Sequence, residues 1–245
     1  MKLHLVNPNT TASMTEKAAA AAREVAGPDT QIVAATSAMG PASIEGHYDD
    51  ALALPGLLAA LEAAERQGVD AHIIACFDDT GLDAARTLAG APVVGIGEAA
   101  FHIASLIAHR FAVVTTLRRS VPVIEANLER YGLSRRCARV RASDVAVLEL
   151  EDPHSNARAR ISAEIAAALR EDHAEAIVLG CAGMADLARA LAQEHGVPVI
   201  DGVVSAVGLT QTLVRAGIAT SKAGAYAAPR PKAYAGLLAG FAPKG

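Results

Sequence analysis

Residues 71–81 read Ala-His-Ile-Ile-Ala-Cys-Phe-Asp-Asp-Thr-Gly, and residues 176–184 read Ala-Ile-Val-Leu-Gly-Cys-Ala-Gly-Met. Each stretch is a short apolar run closed by turn residues, the pattern of a strand buried on both faces of a parallel sheet. In each, a single cysteine, Cys76 or Cys181, follows the run directly. A helix-like segment and then a short Pro-Val strand come next in both places. The two cysteines therefore form a matched pair, and the rest of the chain tests that match.

Working outward, the cysteines lie 181 − 76 = 105 positions apart, and Pro92 and Pro198 lie 198 − 92 = 106 apart. Asn9 and Thr115, read as the ends of the first strand of each half, lie 115 − 9 = 106 apart. Three landmarks at nearly one offset indicate an internal duplication. The first half reads as strands at 2–7, 31–36, 69–75 and 92–96, alternating with helices at about 11–25, 47–66, 82–88 and 98–108. Pro55 is expected to mark a break or a new first turn in the second of these helices, and Thr11 or Ser13 to cap the first. The pattern then repeats with strands at 110–115, 139–142, 176–180 and 197–200 and helices at 120–131, 157–170, 184–194 and 203–215. The tail from Gly217 is expected to wrap the surface.

Alternating strands and helices define an α/β fold. Here they predict two pseudo-twofold-related parallel-sheet domains with the active site in the cleft between them. The expected partition is residues 1–97 plus about 205–245 for the first domain and 98–204 for the second. Ligands in such sheets sit at the carboxyl ends of strands, where Asn9, Cys76, Thr115 and Cys181 all fall.

Composition narrows the function. The 245 residues are 52% apolar and only 3% aromatic, which suits aliphatic helices packed on buried strands. Net charge is 22 − 26 = −4, so no basic field for nucleic acid or anionic lipid is present. No apolar run is long enough to span a membrane, and the N-terminus reads as a strand rather than a targeting signal. Three cysteines do not make a disulfide framework; free thiols in a reducing cytoplasm are the expectation.

A cysteine at a strand end before a helix is placed for thiolate formation: a free thiol titrates near about 8.5, and helix N-termini lower that value. One thiolate and one thiol facing each other across a planar carbanion act as base and acid, so either face can be deprotonated while the other is reprotonated. That chemistry needs no metal and no organic cofactor. Backbone N–H groups in Asp78–Gly81 and in Ala182–Gly183 are available to an enolate oxygen. The competing reading, that each cysteine is a small core hydrophobe, is weakened by the duplicated context. Cys137, in Ser-Arg-Arg-Cys-Ala-Arg-Val-Arg, has no counterpart and reads as structural.

A cysteine-nucleophile hydrolase would need a base, usually His, and no His repeats with the cysteines. His72 and His102 read as buried and hydrogen-bonded, while His47 is close enough to the 37–46 loop to reach the cleft. No CxxC or HxxxH spacing suggests zinc. Gly95-Ile-Gly-Glu-Ala-Ala100 loosely matches a dinucleotide fingerprint but lacks the acidic residue about twenty positions on; glycine packing explains it better.

The blocks VNPNTTASMT, DAHIIACFDDTGLDAAR, TTLRRSVPVIE, EAIVLGCAGMADL, GVPVIDGV and ATSKAGAY resemble those of the hydantoin racemase branch of the aspartate/glutamate racemase superfamily. The resemblance covers nearly the whole chain. It implies a cofactor-independent two-base racemase acting at C5 of a 5-monosubstituted hydantoin, a small cyclic ureide, with Cys76 and Cys181 as the acid–base pair. It also implies that Asn9, Thr115, Thr116 and the groups around Asp78, Asp79, Thr80, Ala182 and Gly183 hold the ring, with Ser43 a further contact, and that the chain forms a homo-oligomer. Thr80 departs from the Pro expected in many relatives. Allantoin racemases share these blocks, and the apolar loop residues Met39 and Ile44 lean toward an apolar substituent. Amino-acid racemases carry different blocks around the first cysteine, and a decarboxylase of the superfamily keeps only one cysteine. A binding or regulatory protein on this scaffold would not need both thiols.

Overall fold

In the computed structural model, which describes residues 1–243, the chain forms two four-stranded sheets, parallel throughout. The last two residues of the expected first domain, 244–245, lie outside the described residues. The first sheet contains β1 (Lys2–Asn7), β2 (Gln31–Thr36), β3 (Ala71–Ile74) and β4 (Val93–Gly95) in the order β2-β1-β3-β4. The second contains β5 (Phe111–Thr115), β6 (Cys137–Ala142), β7 (Ala176–Gly180) and β8 (Val199–Ile200) in the order β6-β5-β7-β8. The two orders are the same permutation, as the duplication requires.

The helices intervene one by one: α1 (Ala12–Val25), α2 (His47–Glu65), α3 (Leu82–Leu88) and α4 (Ile96–Ile107), then α5 (Val121–Arg130), α6 (Ala157–Glu171), α7 (Ala188–His195) and α8 (Gly202–Arg215). Leu3, Ile73, Val94, Phe101, Phe111, Val113, Val178 and Val203 belong to one buried cluster shared by both sheets. Smaller clusters hold α2 and α3 on the outer face of the first sheet and α6 and α7 on the outer face of the second. Each fully buried large apolar side chain of this kind contributes about 1.5–3 kcal/mol. The helices α4 and α8 meet between the sheets, α4 also touching β7 and α8 touching β3. They approach so closely that a Cβ on Gly202 would lie 2.7 Å from the Ile96 carbonyl oxygen.

The duplicated landmarks hold with one correction. His72 N–H donates to Pro92 O and Ile177 N–H to Pro198 O, both at 2.9 Å, so the two prolines occupy one position in the repeat. Asn9, however, does not match Thr115. The strand β1 closes at Asn7, whose carbonyl accepts Ser37 N–H at 2.9 Å, just as Thr115 O accepts Ser143 N–H at 2.9 Å. Past that end, Asn7 and Asn9 exchange side-chain hydrogen bonds and fold the chain into a turn.

Pro55 does not break α2, which runs unbroken from His47 to Glu65. Tertiary packing sets this: next to Pro55, a Cβ on Gly56 would lie 2.1 Å from Ser37 Oγ and 2.2 Å from Met39 O, so α2 is pressed against the 37–46 loop. Neither Thr11 nor Ser13 caps α1 through its side chain; Thr11 Oγ1 instead donates to Ala42 O at 2.7 Å. The tail does lie along the surface, with Tyr226 Oη donating to Asp83 at 2.9 Å and Lys222 Nζ to Arg86 O at 2.6 Å. Among the described residues no helix is long and apolar enough to cross a membrane.

Candidate active site

The cysteines follow β3 and β7, the inner strands that pair with β1 and β5. Ala75 N–H donates to Val6 O at 2.8 Å and carries the ladder up to Cys76. On the other side Thr115 Oγ1 donates to Gly180 O at 2.9 Å, fixing the residue before Cys181. Gly180 is required here, since a Cβ would lie 2.8 Å from Thr115 Cβ.

Cys76 and Cys181 both line one cavity. Its first-half wall includes Asn9, Met14, Ile44, Cys76, Phe77 and Asp78; its second-half wall includes Thr116, Ser120, Val147, Cys181 and Ala182. Met14, Ile44, Phe77 and Val147 bring apolar surface to the wall, whereas Asn9, Asp78, Thr116 and Ser120 bring polar groups.

The backbone settings of the two thiols match: the amide of Asp78 favours the Cys76 thiolate and that of Gly183 the Cys181 thiolate, each two residues past its cysteine. The expectation of lowered thiol pKa values is not met. Burial pushes Cys181 up to about 12 and Cys76 well above the usual thiol range, and in both cases the nearby Asp78 carboxylate adds to the rise. A helix N-terminus directly follows only Cys181, which precedes the 3-10 turn Ala182–Leu187. After Cys76 the helix begins six positions on, at Leu82, too far for its dipole to offset the loss of water.

Asp78 and Asp79 are adjacent but point into different environments. Asp79 takes the left-handed conformation, φ 53°. Its carboxylate accepts Gly97 N–H at 3.0 Å, Glu98 N–H at 2.7 Å and Tyr131 Oη–H at 2.7 Å. It therefore caps α4, and its side chain is committed away from the cavity. Burial nevertheless pushes it up to about 7, against those three donors. Asp79 also explains Gly95 and Gly97: a Cβ at either would lie 2.1 Å or 2.9 Å from its carboxylate oxygens. The fingerprint-like run is thus a seat for a capping carboxylate. Asp78 faces the cavity, and burial together with Asp50 and Asp79 raises it to about 7.

Of the other expected contacts, Thr80 is buried and donates through Oγ1 to Cys76 Sγ at 3.3 Å. Thr115 pins the strand end rather than facing the cavity, and Thr116 does face it. Gly183 acts through its amide on Cys181. Ser43 lies outside the wall and donates to Glu45 at 3.3 Å; its neighbour Ile44 provides the contact surface. Met39 is exposed and outside the wall.

His72 is fully buried, 2.9 Å from His4 and 2.7 Å from Glu65. His102 is exposed rather than buried, and His47 sits exposed at the start of α2. Cys137 lies on the edge strand β6, away from the cavity. Among the described residues no three His, Cys, Asp or Glu side chains are grouped to hold a metal ion.

Sequence reasoning missed Ser120, Met14, Phe77 and Val147 as wall residues. Phe77 carried a signal, since it directly follows Cys76 as Ala182 directly follows Cys181. Val147 carried none, because it lies in an irregular acidic stretch.

Two parallel-sheet halves of one topology, each contributing a strand-end thiol, define the α/β class to which known racemases belong. Residues 3–210 match the model of the Asp/Glu/Hydantoin racemase family, and the chain belongs to that family. It is similar to a hydantoin racemase of Rhizobium meliloti, 52% identical over 96% of this chain and 98% of that protein. A hydantoin racemase of Pseudomonas sp. (strain NS671) is 46% identical over 98% and 97% of the two chains. The solved allantoin racemase from Klebsiella pneumoniae superposes with a TM-score of 0.96 over 100% of both chains at 47% identity.

Proposed function

We propose that the chain is a cofactor-independent isomerase that racemises 5-monosubstituted hydantoins at C5, with Cys76 and Cys181 as the two acid–base groups. The observation that carries this reading is the pair of thiols, each after a matched strand and each with an amide two residues on, opening on one cavity. The C5 proton is next to a ring carbonyl, so its removal leaves a planar enolate. One thiolate takes the proton while the thiol across the ring returns one to the opposite face.

Among the described residues the cavity wall contains one carboxyl, Asp78, and no Lys, Arg or His. A neutral cyclic ureide suits that wall. A free amino acid would bring its carboxylate beside Asp78 with no cation to offset it. Asn9, Thr116 and Ser120 are proposed to meet the ring's amide groups, with Ala182 against the ring. Allantoin, whose substituent is a ureido group, is the second reading, favoured by the full-length likeness to the allantoin racemase.

The domain partition proposed is 1–97 plus about 205–245 against 98–204, supported by α8 packing on β3 and α4 on β7. A homo-oligomer in a reducing cytoplasm, where the thiols stay free, completes the proposal.

The test is to incubate each enantiomer of a 5-substituted hydantoin, and of allantoin, in D2O. Loss of optical rotation with deuterium entering at C5 faster than in the uncatalysed control is the expected result. No acceleration with any of these substrates defeats the reading.

A further inference from the structure

The apolar lining of the cavity is drawn from both halves of the chain. Ile44 comes from the loop before α2, and Val147 from the 3-10 segment Val147–Glu151. That segment carries no regular backbone ladder, so something else must fix it. Two side chains from the first half do so. Glu45 Oε1 accepts Val147 N–H at 3.1 Å, across 102 positions of sequence, and also accepts Ser43 Oγ at 3.3 Å. The Glu45 amide is held in turn by Asp49 Oδ2 at 3.0 Å.

At the other end of the segment, Lys17 Nζ donates to Leu150 O at 3.0 Å and to Gly183 O at 3.5 Å, and lies 2.9 Å from Glu151 Oε1. Leu150 packs on the turn after the second cysteine: its Cδ1 lies 2.9 Å from where a Cβ on Gly183 would be. Ile44 and Val147 are both buried, yet both line the cavity. Glu45 is therefore the link through which the two leaves of the wall keep their spacing.

We propose that Glu45 is a positioning residue for substrate selection: its bond to the Val147 amide sets the gap between Ile44 and Val147, and that gap selects the C5 substituent by size. The inference rests on the hydantoin reading and deepens it. Ile44 and Val147 themselves select by contact, and Glu45 acts through them. An apolar wall discriminates between substituents differing by a few carbons by roughly tenfold or more, provided the wall is held in place.

The experiment compares kcat/KM for 5-isopropylhydantoin with kcat/KM for 5-methylhydantoin in the wild-type protein, Glu45→Ala, Glu45→Gln and Val147→Ala. Glu45→Ala is expected to lower the isopropyl-to-methyl ratio about tenfold, as is Val147→Ala, because each loosens the grip on the larger group. Glu45→Gln keeps an oxygen acceptor for the Val147 amide and is expected to stay within about twofold of wild type. Both substrates are assayed on the same preparation, so a loss of folded protein cancels from the ratio. An unchanged ratio in Glu45→Ala overturns the proposal, as does a Gln variant as altered as the Ala variant. Wild-type protein that racemises neither hydantoin defeats the hydantoin reading itself, which separates the two failures.

Discussion

Thr80 Oγ1 donates a hydrogen bond to Cys76 Sγ at 3.3 Å, and the place 105 residues on, opposite Cys181, is held by Ala185. The two thiols are thus matched in backbone setting but not in side-chain support. The Thr80 hydroxyl favours the Cys76 thiolate by a hydrogen bond, whereas the side chain that favours the Cys181 thiolate is Lys17, through its charge.

This asymmetry is invisible in net racemisation. The equilibrium constant between enantiomers is unity, so kcat/KM must change equally in both directions. It appears when each half-reaction is isolated. Deuterium exchange at C5 by Cys181→Ser, which keeps only Cys76, is expected to slow when Thr80→Val is added, because the Cys76 thiolate loses the hydroxyl that favours it. Exchange by Cys76→Ser is expected to be unmoved by the same change. Equal slowing in both backgrounds would show that Thr80 acts on the fold rather than on the Cys76 thiol.

Both cysteines are needed for inversion. Cys76→Ser and Cys181→Ser are each expected to reduce racemisation by at least about a thousandfold, since a hydroxyl is a far poorer base than a thiolate. Cys137→Ser, on an edge strand away from the cavity, is expected to stay near wild type. Polarimetry of the three variants decides; substantial racemisation by either single-site variant removes the two-base scheme.

Asp78 ties the rate to pH. Its carboxyl, raised to about 7, is charged above neutrality, and that charge raises both thiols. With raised thiol pKa values, kcat/KM is expected to climb as pH increases above 7, because the thiolate fraction grows with pH. Asp78→Asn removes the negative charge from beside both sulfurs, so their pKa values fall and the rising limb moves to lower pH. A limb that stays put, or moves upward, would mean that the Asp78 charge does not govern the thiols.

Asp79 is expected to matter for stability. Asp79→Ala strands the buried Gly97 amide and the part-buried Glu98 amide at the start of α4, together with the part-buried Tyr131 hydroxyl. The cost is about 2–4 kcal/mol, combining the lost cap with buried donors left unpaired. Denaturant unfolding followed by circular dichroism measures it, and a loss below about 1 kcal/mol would show that water replaces the carboxylate.

These residues also mark how far the chain could be read without coordinates. The strand-end cysteines were legible because apolar runs and their spacing are local facts. Which of two neighbouring aspartates faces the cavity was not, because it depends on one positive φ at Asp79 and on where α4 and Tyr131 sit. Thr115 was placed at its strand end correctly, yet its hydroxyl is spent on Gly180. Taking Asn9 for the end of β1 failed because the Asn7–Asn9 turn mimics a continuing polar edge. The raised thiol pKa values could not be read at all: desolvation belongs to the assembled cavity, not to the strand–helix junction that suggested the opposite sign. Val147 escaped because its position comes from Glu45, more than a hundred residues away.

The repeated sheet order, β2-β1-β3-β4 and β6-β5-β7-β8, has a geometric consequence for a protein that must treat left and right alike. Enantiomers are related by reflection, and a chain of L-residues cannot build its own mirror image. Duplication can supply only a rotation. Rotation suffices when the intermediate is flat, because a half-turn about an axis in the plane of the ring exchanges its two faces as a mirror would. The fold thus handles both hands of a molecule using only one hand of its own. The limit of that substitution lies where the ring stops being flat, at the substituent on C5.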